Sequence, residues 1–366
     1  MFIIPRLFGV AIYTLVMLVF VFIAKNSKPQ NEHRVLISYL AALILMAYLY
    51  VPYITTDLFR LNPIADALAA MPFFEFLDLI LSSRSGIFTF IYFRCFHGYL
   101  SPVTCFFVFG TMLTLIYRSS QKSEATGAVL SVVLLWIMTN DFYLVSITNI
   151  RSYMAASFAA YCIYREVFLH KFDILNIFLY LCAIETHSMG IVLVMFRFAT
   201  YMLTRGQFSL WKMAAFPLVI IISVAGVPFY MEMGAESADK FMGYYNNNVY
   251  SYIWERVIYL IQTGVQVYIL LKAYALRVFN DKDFTYYKIV VTLAVVILII
   301  CNVRVPFVQR WIIFSAMLEI PILTDVLKKE SEVGVTKARN FMLATMFVTF
   351  PIVVSRGNLC SLKFWE

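Results

Sequence analysis

The sequence predicts an all-α, polytopic integral membrane protein that folds as a single transmembrane domain over residues 1–366. Hydrophobic residues make up 62% of the chain and charged residues only 14%. Soluble domains are about half apolar and about a quarter charged, so this composition excludes an ordinary soluble fold. The apolar excess lies in runs that approach the roughly 20 residues with which a helix crosses a bilayer. Aromatic residues reach 17%, as expected of lipid-facing surfaces with interfacial belts.

The apolar runs predict about 11–12 transmembrane helices in chain order. We place these helices at 7–24, 34–53, 100–117, 128–147, 152–169, 173–186, 188–204, 211–230, 252–275, 286–303, 307–327 and 339–355. Two further stretches, 54–99 and 231–251, are predicted to be loops or interfacial helices. The first of them alternates charged and apolar residues, which is typical of amphipathic helices that lie in the membrane interface.

Basic residues predict the orientation of the chain. Lys and Arg concentrate in the short loops 25–34, 118–122, 165–171 and 328–339, which the positive-inside rule places in the cytoplasm. The N-terminus and both loop stretches then lie on the outer side. The six cysteines are scattered without metal-ligand or redox spacing, and the sequence contains no nucleotide-binding glycine motif. The sequence therefore predicts neither a metal nor a nucleotide cofactor.

Arginine rather than lysine dominates the predicted outer side, where Arg60, Arg151, Arg304 and Arg310 all fall. The planar guanidinium group binds phosphate or carboxylate oxygens through two parallel hydrogen bonds, whereas lysine acts as a point charge. An outer cavity lined by these side chains suits a pyrophosphate-linked lipid. The alternative is that these arginines pair with nearby acids or bind lipid headgroups at the interface.

His187 marks a predicted break between two helices on the outer side. The break spans 185–188 and places His187 next to Glu185. A histidine at such a position suits proton transfer or a contact with phosphate. The alternative is an ordinary packing or hydrogen-bonding role within the helix bundle.

Two more sets of polar residues are candidates for function. Tyr244 and Tyr245 precede three asparagines, a combination that suits stacking and hydrogen bonding to sugars, or equally an interfacial turn. Glu319 lies deep in a predicted helix, where carboxylates are costly. We expect it to be functional, protonated, or paired with a buried base such as Arg197.

Three features follow one another along the chain. They are Asp57 near the end of the second helix, a helix at 151–155 that begins with an arginine, and a helix at 183–189 that ends with a His-Ser pair. This order resembles the EpsG/Wzy-type polysaccharide polymerases of the bacterial inner membrane. The resemblance covers most of the chain in layout and is specific around 149–190. It implies a fold like that of the GT-C-type membrane glycosyltransferases.

The resemblance also implies an activity. Undecaprenyl-pyrophosphate-linked oligosaccharide units would be polymerised into the O-antigen of lipopolysaccharide, capsule or exopolysaccharide on the periplasmic face. The enzyme would be a glycosyltransferase that needs no metal, nucleotide or other cofactor. Its implied partners are the lipid-linked oligosaccharide, membrane lipid, and a chain-length regulator and flippase of the same pathway, with no nucleic acid.

The same resemblance implies roles for the candidate residues. Arginines would stabilise the charge that develops on the leaving pyrophosphate, and a base would assist the acceptor hydroxyl. The implied catalytic residues are His187, Arg151 and Asp57. The implied substrate-binding residues are Arg304, Arg310, Arg60, Glu185, Tyr244 and Tyr245.

Two other functions stay open at the level of sequence. A transporter or flippase of a lipid-linked glycan would also place arginines in a cavity, but it is expected to carry polar residues at all membrane depths. An acyltransferase or O-antigen ligase would use related lipid donors, and the ligase would act on a lipid A core acceptor. A deletion strain separates these functions, because loss of a polymerase leaves single capped units.

Overall fold

The computed structural model describes residues 2–4, 6–51, 57–83, 86–123, 127–139, 146–147, 149–204, 253–280, 285–302, 305–355 and 362–364. The predicted helix at 211–230 and the loop at 231–251, with Tyr244 and Tyr245, lie outside these residues. Arg304 also lies outside them. The architecture below concerns the described ranges only.

The described residues are mostly helical. The helices are α1 (Arg6–Lys25), α2 (Glu32–Leu49), α3 (Asp57–Ala70), α4 (Phe73–Ser82), α5 (Ile87–Cys95), α6 (Leu100–Ser123), α7 (Gly127–Thr139), α8 (Ile150–Ile163), α9 (Ile174–Thr186), α10 (Ser188–Thr204), α11 (Ile253–Ala275), α12 (Thr285–Cys301), α13 (Val305–Glu332) and α14 (Lys337–Ser355). Two three-residue strands, β1 (Phe2–Ile4) and β2 (Leu362–Phe364), pair antiparallel and join the two ends of the chain. The fold departs from the predicted all-α class only at this pair.

The helices begin within two residues of the predicted starts, and their ends differ from the predicted ends by up to six residues, apart from α7, which is described only to Thr139. Three helical segments are long and apolar enough to cross a bilayer by length and composition: Glu32–Leu49, Leu100–Gln121 and Arg256–Ala275. Five further apolar helical segments are shorter. The structure therefore supports a helical membrane protein, and the total number of crossings stays a prediction.

Helix α8 forms the centre of the bundle. Its small residues Ala155, Ala156, Ala159 and Ala160 are fully buried. Small side chains let neighbouring backbones approach closely, which is how helices associate in a bilayer. Helices α6, α9, α10 and α13 accordingly all pack against α8. The first turn of α8, with Arg151, is thereby surrounded by other helices.

The described residues of the predicted interfacial stretch at 54–99 form the three short helices α3, α4 and α5. In α4, Phe73, Phe74 and Leu81 are exposed while Phe76 is buried. Helix α3 packs on α5, and α5 packs on α9. Helices α3 to α5 therefore cover the end of the bundle at which α9 ends. Their placement in the membrane interface stays a prediction.

A π-helical turn, Tyr164–Phe168, follows α8 directly. It presents two adjacent charged residues to different partners. Arg165 forms an ion pair with Asp173, and Glu166 forms one with Arg197 of α10. Asp173 also accepts backbone hydrogen bonds at the start of α9. At this end of the bundle, Arg165 and Arg197 each have a carboxylate partner.

Candidate functional site

The break between α9 and α10 is built around a glycine. Helix α9 ends at Thr186, α10 begins at Ser188, and His187 between them has extended backbone angles. Gly190 donates its N–H to the carbonyl oxygen of His187 at 2.7 Å. A Cβ atom at Gly190 would lie 1.9 Å from the carbonyl oxygen of Ala183, so a larger residue would force the two helices apart. The predicted break at His187 is confirmed, and Gly190 allows it.

The ring of His187 is held by a backbone hydrogen bond. Its Nδ1 atom accepts the N–H of Met189 at 3.0 Å. The neutral ring then carries its proton on Nε2, which is left as a hydrogen-bond donor. Burial, together with the positive charges of Arg310 and Arg151, lowers the pKa of His187 to about 3. Of the roles predicted for His187, this geometry favours a contact with an anionic oxygen over acceptance of a proton.

Arg151 and Arg310 approach His187 from two other helices. Arg151 lies in the first turn of α8 and Arg310 near the start of α13. The hydroxyl of Tyr153 donates to the carbonyl oxygen of Gln309 at 2.8 Å and so ties these two helix ends together. Both arginines are close enough to lower the pKa of His187. Among the described residues, Arg310 forms no ion pair with a carboxylate.

Three helix N-termini meet at this cluster. Helices α8, α10 and α13 all begin near it, and none of them has an acidic residue in its first turn. The N-terminus of a helix carries a partial positive charge and free backbone N–H groups, both of which favour anions. The charges of Arg151 and Arg310 therefore add to the helix dipoles. We define the cationic cluster as His187, Arg151 and Arg310.

Three other predicted site residues have structural partners. A side-chain oxygen of Glu185 accepts the N–H of Ile87 at 3.0 Å, so Glu185 caps the start of α5. The carbonyl oxygens of Glu185 and its neighbour also accept from the hydroxyl of Thr89. Asp57 and Arg60 form an ion pair with each other within α3. The Asp57 carboxylate is thus already neutralised, and the structure does not link it to the cationic cluster.

Glu319 is fully buried, and neither of its carboxylate oxygens has a hydrogen-bond partner among the described residues. The expected alternative pairing with Arg197 is wrong, because Arg197 binds Glu166 at 2.5 Å. Sequence reasoning also missed Gly190 and Tyr153. A glycine three residues after His187 was the available signal for the tight crossing, since glycine marks close backbone approach.

No protein-family model, curated protein or solved structure matches the chain. The resemblance to the EpsG/Wzy-type polymerases therefore stays a prediction that rests on the motif residues. Within those motifs this chain has Ser152 after the arginine and Thr186 before the histidine, where family members often have Gln or Asn and an apolar residue.

Proposed function

We propose that this chain is a membrane glycosyltransferase that polymerises undecaprenyl-pyrophosphate-linked oligosaccharide units on the outer face of the bacterial inner membrane. The observation that supports the proposal is the cationic cluster. Two arginines and a histidine N–H donor converge from α8, α13 and the α9–α10 break, at a point where three helices begin. A pyrophosphate that leaves from a lipid-linked donor has the matching charge.

The cluster suits the charge that develops during glycosyl transfer. The acceptor hydroxyl attacks the anomeric carbon of the donor, a new C–O glycosidic bond forms, and the C–O bond to pyrophosphate breaks. Negative charge then grows on the departing oxygen. Arg151, Arg310 and Nε2 of His187 are hydrogen-bond donors that stabilise it, and one such donor contributes about 2.7–4 kcal/mol in known oxyanion sites.

The proton of the acceptor hydroxyl needs a separate acceptor. His187 is poorly suited because its Nδ1 atom is occupied by the N–H of Met189. Asp57 stays the candidate base, and its ion pair with Arg60 would have to open first. Because pyrophosphate is already a good leaving group, the reaction depends more on stabilising the departing charge than on a strong base.

The proposal is tested with purified protein in detergent and a purified lipid-linked oligosaccharide. Detergent micelles have no separate compartments, so a polymerase still lengthens the glycan whereas a transporter yields no new product. We expect a ladder of longer lipid-linked glycans. Arg310→Ala should reduce the rate about 100- to 1000-fold. Arg256→Ala, which removes an exposed arginine from the start of α11, is the matched control and should keep the rate.

A transporter of a lipid-linked glycan is the second candidate, because polar groups lie deep in the bundle. Gln262 and Glu319 are buried, and none of their side-chain oxygen or nitrogen atoms has a hydrogen-bond partner among the described residues. Gln266 has one such oxygen. Absence of elongation in detergent, together with translocation in proteoliposomes, would replace the polymerase by this function. Transfer only to a lipid A core acceptor would indicate a ligase.

A further inference from the structure

A lateral groove opens between α2, α6, α8 and α9, away from the cationic cluster. Its volume is about 550 Å³. The floor is apolar and includes Leu36, Leu113 and Phe158, all of which are buried. Ile37 and Phe106 at its edge are 63% and 51% exposed, so the groove is open toward the surface that would face lipid.

One end of the groove is polar and cationic. Arg118, His33, Tyr117 and Tyr161 line this end, and Arg118 is exposed. Among the described residues, Arg118 forms no ion pair. The nearby acid Glu32 accepts hydrogen bonds from Ser120 and Gln121. An arginine beside an apolar groove can therefore bind an anionic group without displacing a carboxylate.

The length of the groove matches one leaflet of a bilayer. Phe106 and Arg118 are both on α6, and at about 1.5 Å per residue they lie roughly 18 Å apart. The hydrocarbon core of a bilayer is about 30 Å thick, so one leaflet is about half of that. A single acyl chain lying along α6 would fill the groove while its headgroup reached Arg118.

The groove is separate from the cationic cluster. Tyr161 at its polar end and Arg151 lie on the same helix, α8, at positions that place them roughly 15 Å apart along its axis. The polar end of the groove therefore lies at the end of the bundle opposite the cationic cluster. A lipid bound there would not present its phosphate to His187, so its occupancy does not depend on the proposed glycosyl transfer.

We propose that this groove binds one anionic glycerophospholipid, with an acyl chain between α2 and α6 and the phosphodiester at Arg118. The positive charge of Arg118 attracts the phosphate, and aromatic side chains such as Tyr117 and Tyr161 suit the water–lipid boundary. Lys28 and Arg34 lie in the chain around the start of α2 and add to the positive charge near this end. The ligand class is a phospholipid of net negative charge.

The test is native mass spectrometry of the full chain, purified with a mixture of phosphatidylglycerol and phosphatidylcholine. The wild type should retain one phosphatidylglycerol in preference to phosphatidylcholine. Gly110→Phe should remove the bound lipid, since Gly110 lines the groove and a Cβ there would meet only Leu40, at 3.9 Å. Gly264→Phe is the matched control, because Gly264 of α11 is exposed with nothing within 4 Å, and it should keep the lipid.

The headgroup is tested by Arg118→Gln. This variant should keep a bound lipid but lose about fivefold in preference for phosphatidylglycerol, as expected for one basic residue at a membrane surface. Equal binding of both lipids by the wild type would overturn the anionic assignment. Undiminished lipid binding by Gly110→Phe, or an equal loss of lipid from Gly264→Phe, would overturn the assignment of the groove as the lipid site.

A second measurement needs no variant and so does not depend on folding of Gly110→Phe. Phosphatidylglycerol with a photoreactive acyl chain is cross-linked to the wild-type protein in a bilayer, and the modified peptides are mapped. We expect labelling of α2 and α6 around Ile37 and Phe106. Labelling spread evenly over the exposed apolar helices, including α14, would contradict a defined site.

Discussion

The two ends of α8 both carry an arginine in the interior of the bundle, but their electrostatics are opposite. Beyond its C-terminal end, Arg165 binds Asp173, and Arg197 of α10 binds Glu166. At its N-terminal end, Arg151 lies with Arg310 around His187, and the charges that shift the pKa of His187 are both positive. Arginines of the first kind hold helices together, whereas those of the second kind are the ones that we propose to bind an anion.

The difference has a local cause in the helix ends. The π-helical turn after α8 brings Arg165 to Asp173, at the start of α9, and Glu166 to Arg197 of α10. At the other end, α8, α10 and α13 present N-termini without acidic residues in their first turns. The dipoles of these three helices therefore add to the positive charge at the end with His187.

The largest predicted effect is on stability at the ion-paired end. Arg197→Ala should destabilise the protein by about 3–5 kcal/mol, because it leaves Glu166 as a buried carboxylate without its cation. Thermal unfolding in detergent measures this loss. The double variant Arg197→Met with Glu166→Gln should recover most of it, since both charges are then removed. Equal stability of the wild type and Arg197→Ala would contradict a structural role for this pair.

At the opposite end, the predicted effect is on activity. Arg151→Lys should reduce glycan elongation about 100-fold, since lysine keeps the charge but loses the two-pronged contact with pyrophosphate. Accumulation and thermal stability should stay near those of the wild type, in contrast to Arg197→Ala. An immunoblot beside the detergent assay separates the two effects. Normal elongation by the lysine variant would indicate that Arg151 acts only as a counter-charge.

A smaller effect concerns pH. The folded state lowers the pKa of His187 from 6.5 to about 3, so the unfolded chain binds an extra proton between these values. The contribution of His187 to stability is therefore complete above pH 6.5 and is lost as the pH falls toward 3. At pH 5, this protonation should lower the free energy of unfolding of the wild type by on the order of 1 kcal/mol relative to pH 7.5. His187→Gln should remove this loss. Melting temperatures at pH 7.5 and pH 5 measure it, and an unchanged acid sensitivity would indicate that His187 is charged in the fold.

The smallest effect is expected where an arginine pair is exposed. Arg60 and Asp57 form an ion pair one helical turn apart, and the Arg60 side chain is 63% exposed. Such pairs contribute about 0.3–0.5 kcal/mol in helices, so Arg60→Ala should barely change the melting temperature. The rate of glycan elongation by the same Arg60→Ala preparation tests Asp57. If Asp57 is the base, loss of its ion-pair partner Arg60 should leave this rate unchanged or raise it. A large loss of rate would assign Arg60 to substrate binding.

The sequence predicted the helices well because long apolar runs are a strong local signal. The break at His187 was also visible, since a polar run at 185–188 interrupts two apolar segments. The meeting of Arg151 and Arg310 was harder to foresee. It depends on the packing of α8 against α13, seen in the bond between Tyr153 and Gln309, which are 156 residues apart.

Roles within the site were less predictable than positions. Glu185 lies beside His187 in sequence, but its carboxylate caps α5, a helix about a hundred residues earlier in the chain. The tautomer of His187 likewise depends on the N–H of Met189, whose direction is set by the tight crossing at Gly190. Residue types therefore indicated where the site lies in the chain. Only the three-dimensional contacts distinguish the two roles predicted for His187, a contact with an anion and acceptance of a proton.

The pairing of β1 with β2 constrains the topology in a way that no hydropathy profile can. Phe2 is opposite Phe364 and Ile4 is opposite Leu362, so the segments before α1 and after α14 are hydrogen-bonded to each other. In a bundle that spans a bilayer, these two segments are expected to lie at the same face. We therefore expect an even number of crossings, and within the predicted range of about 11–12 helices the larger value satisfies this parity. Reporter domains fused to either end should be accessible from the same compartment.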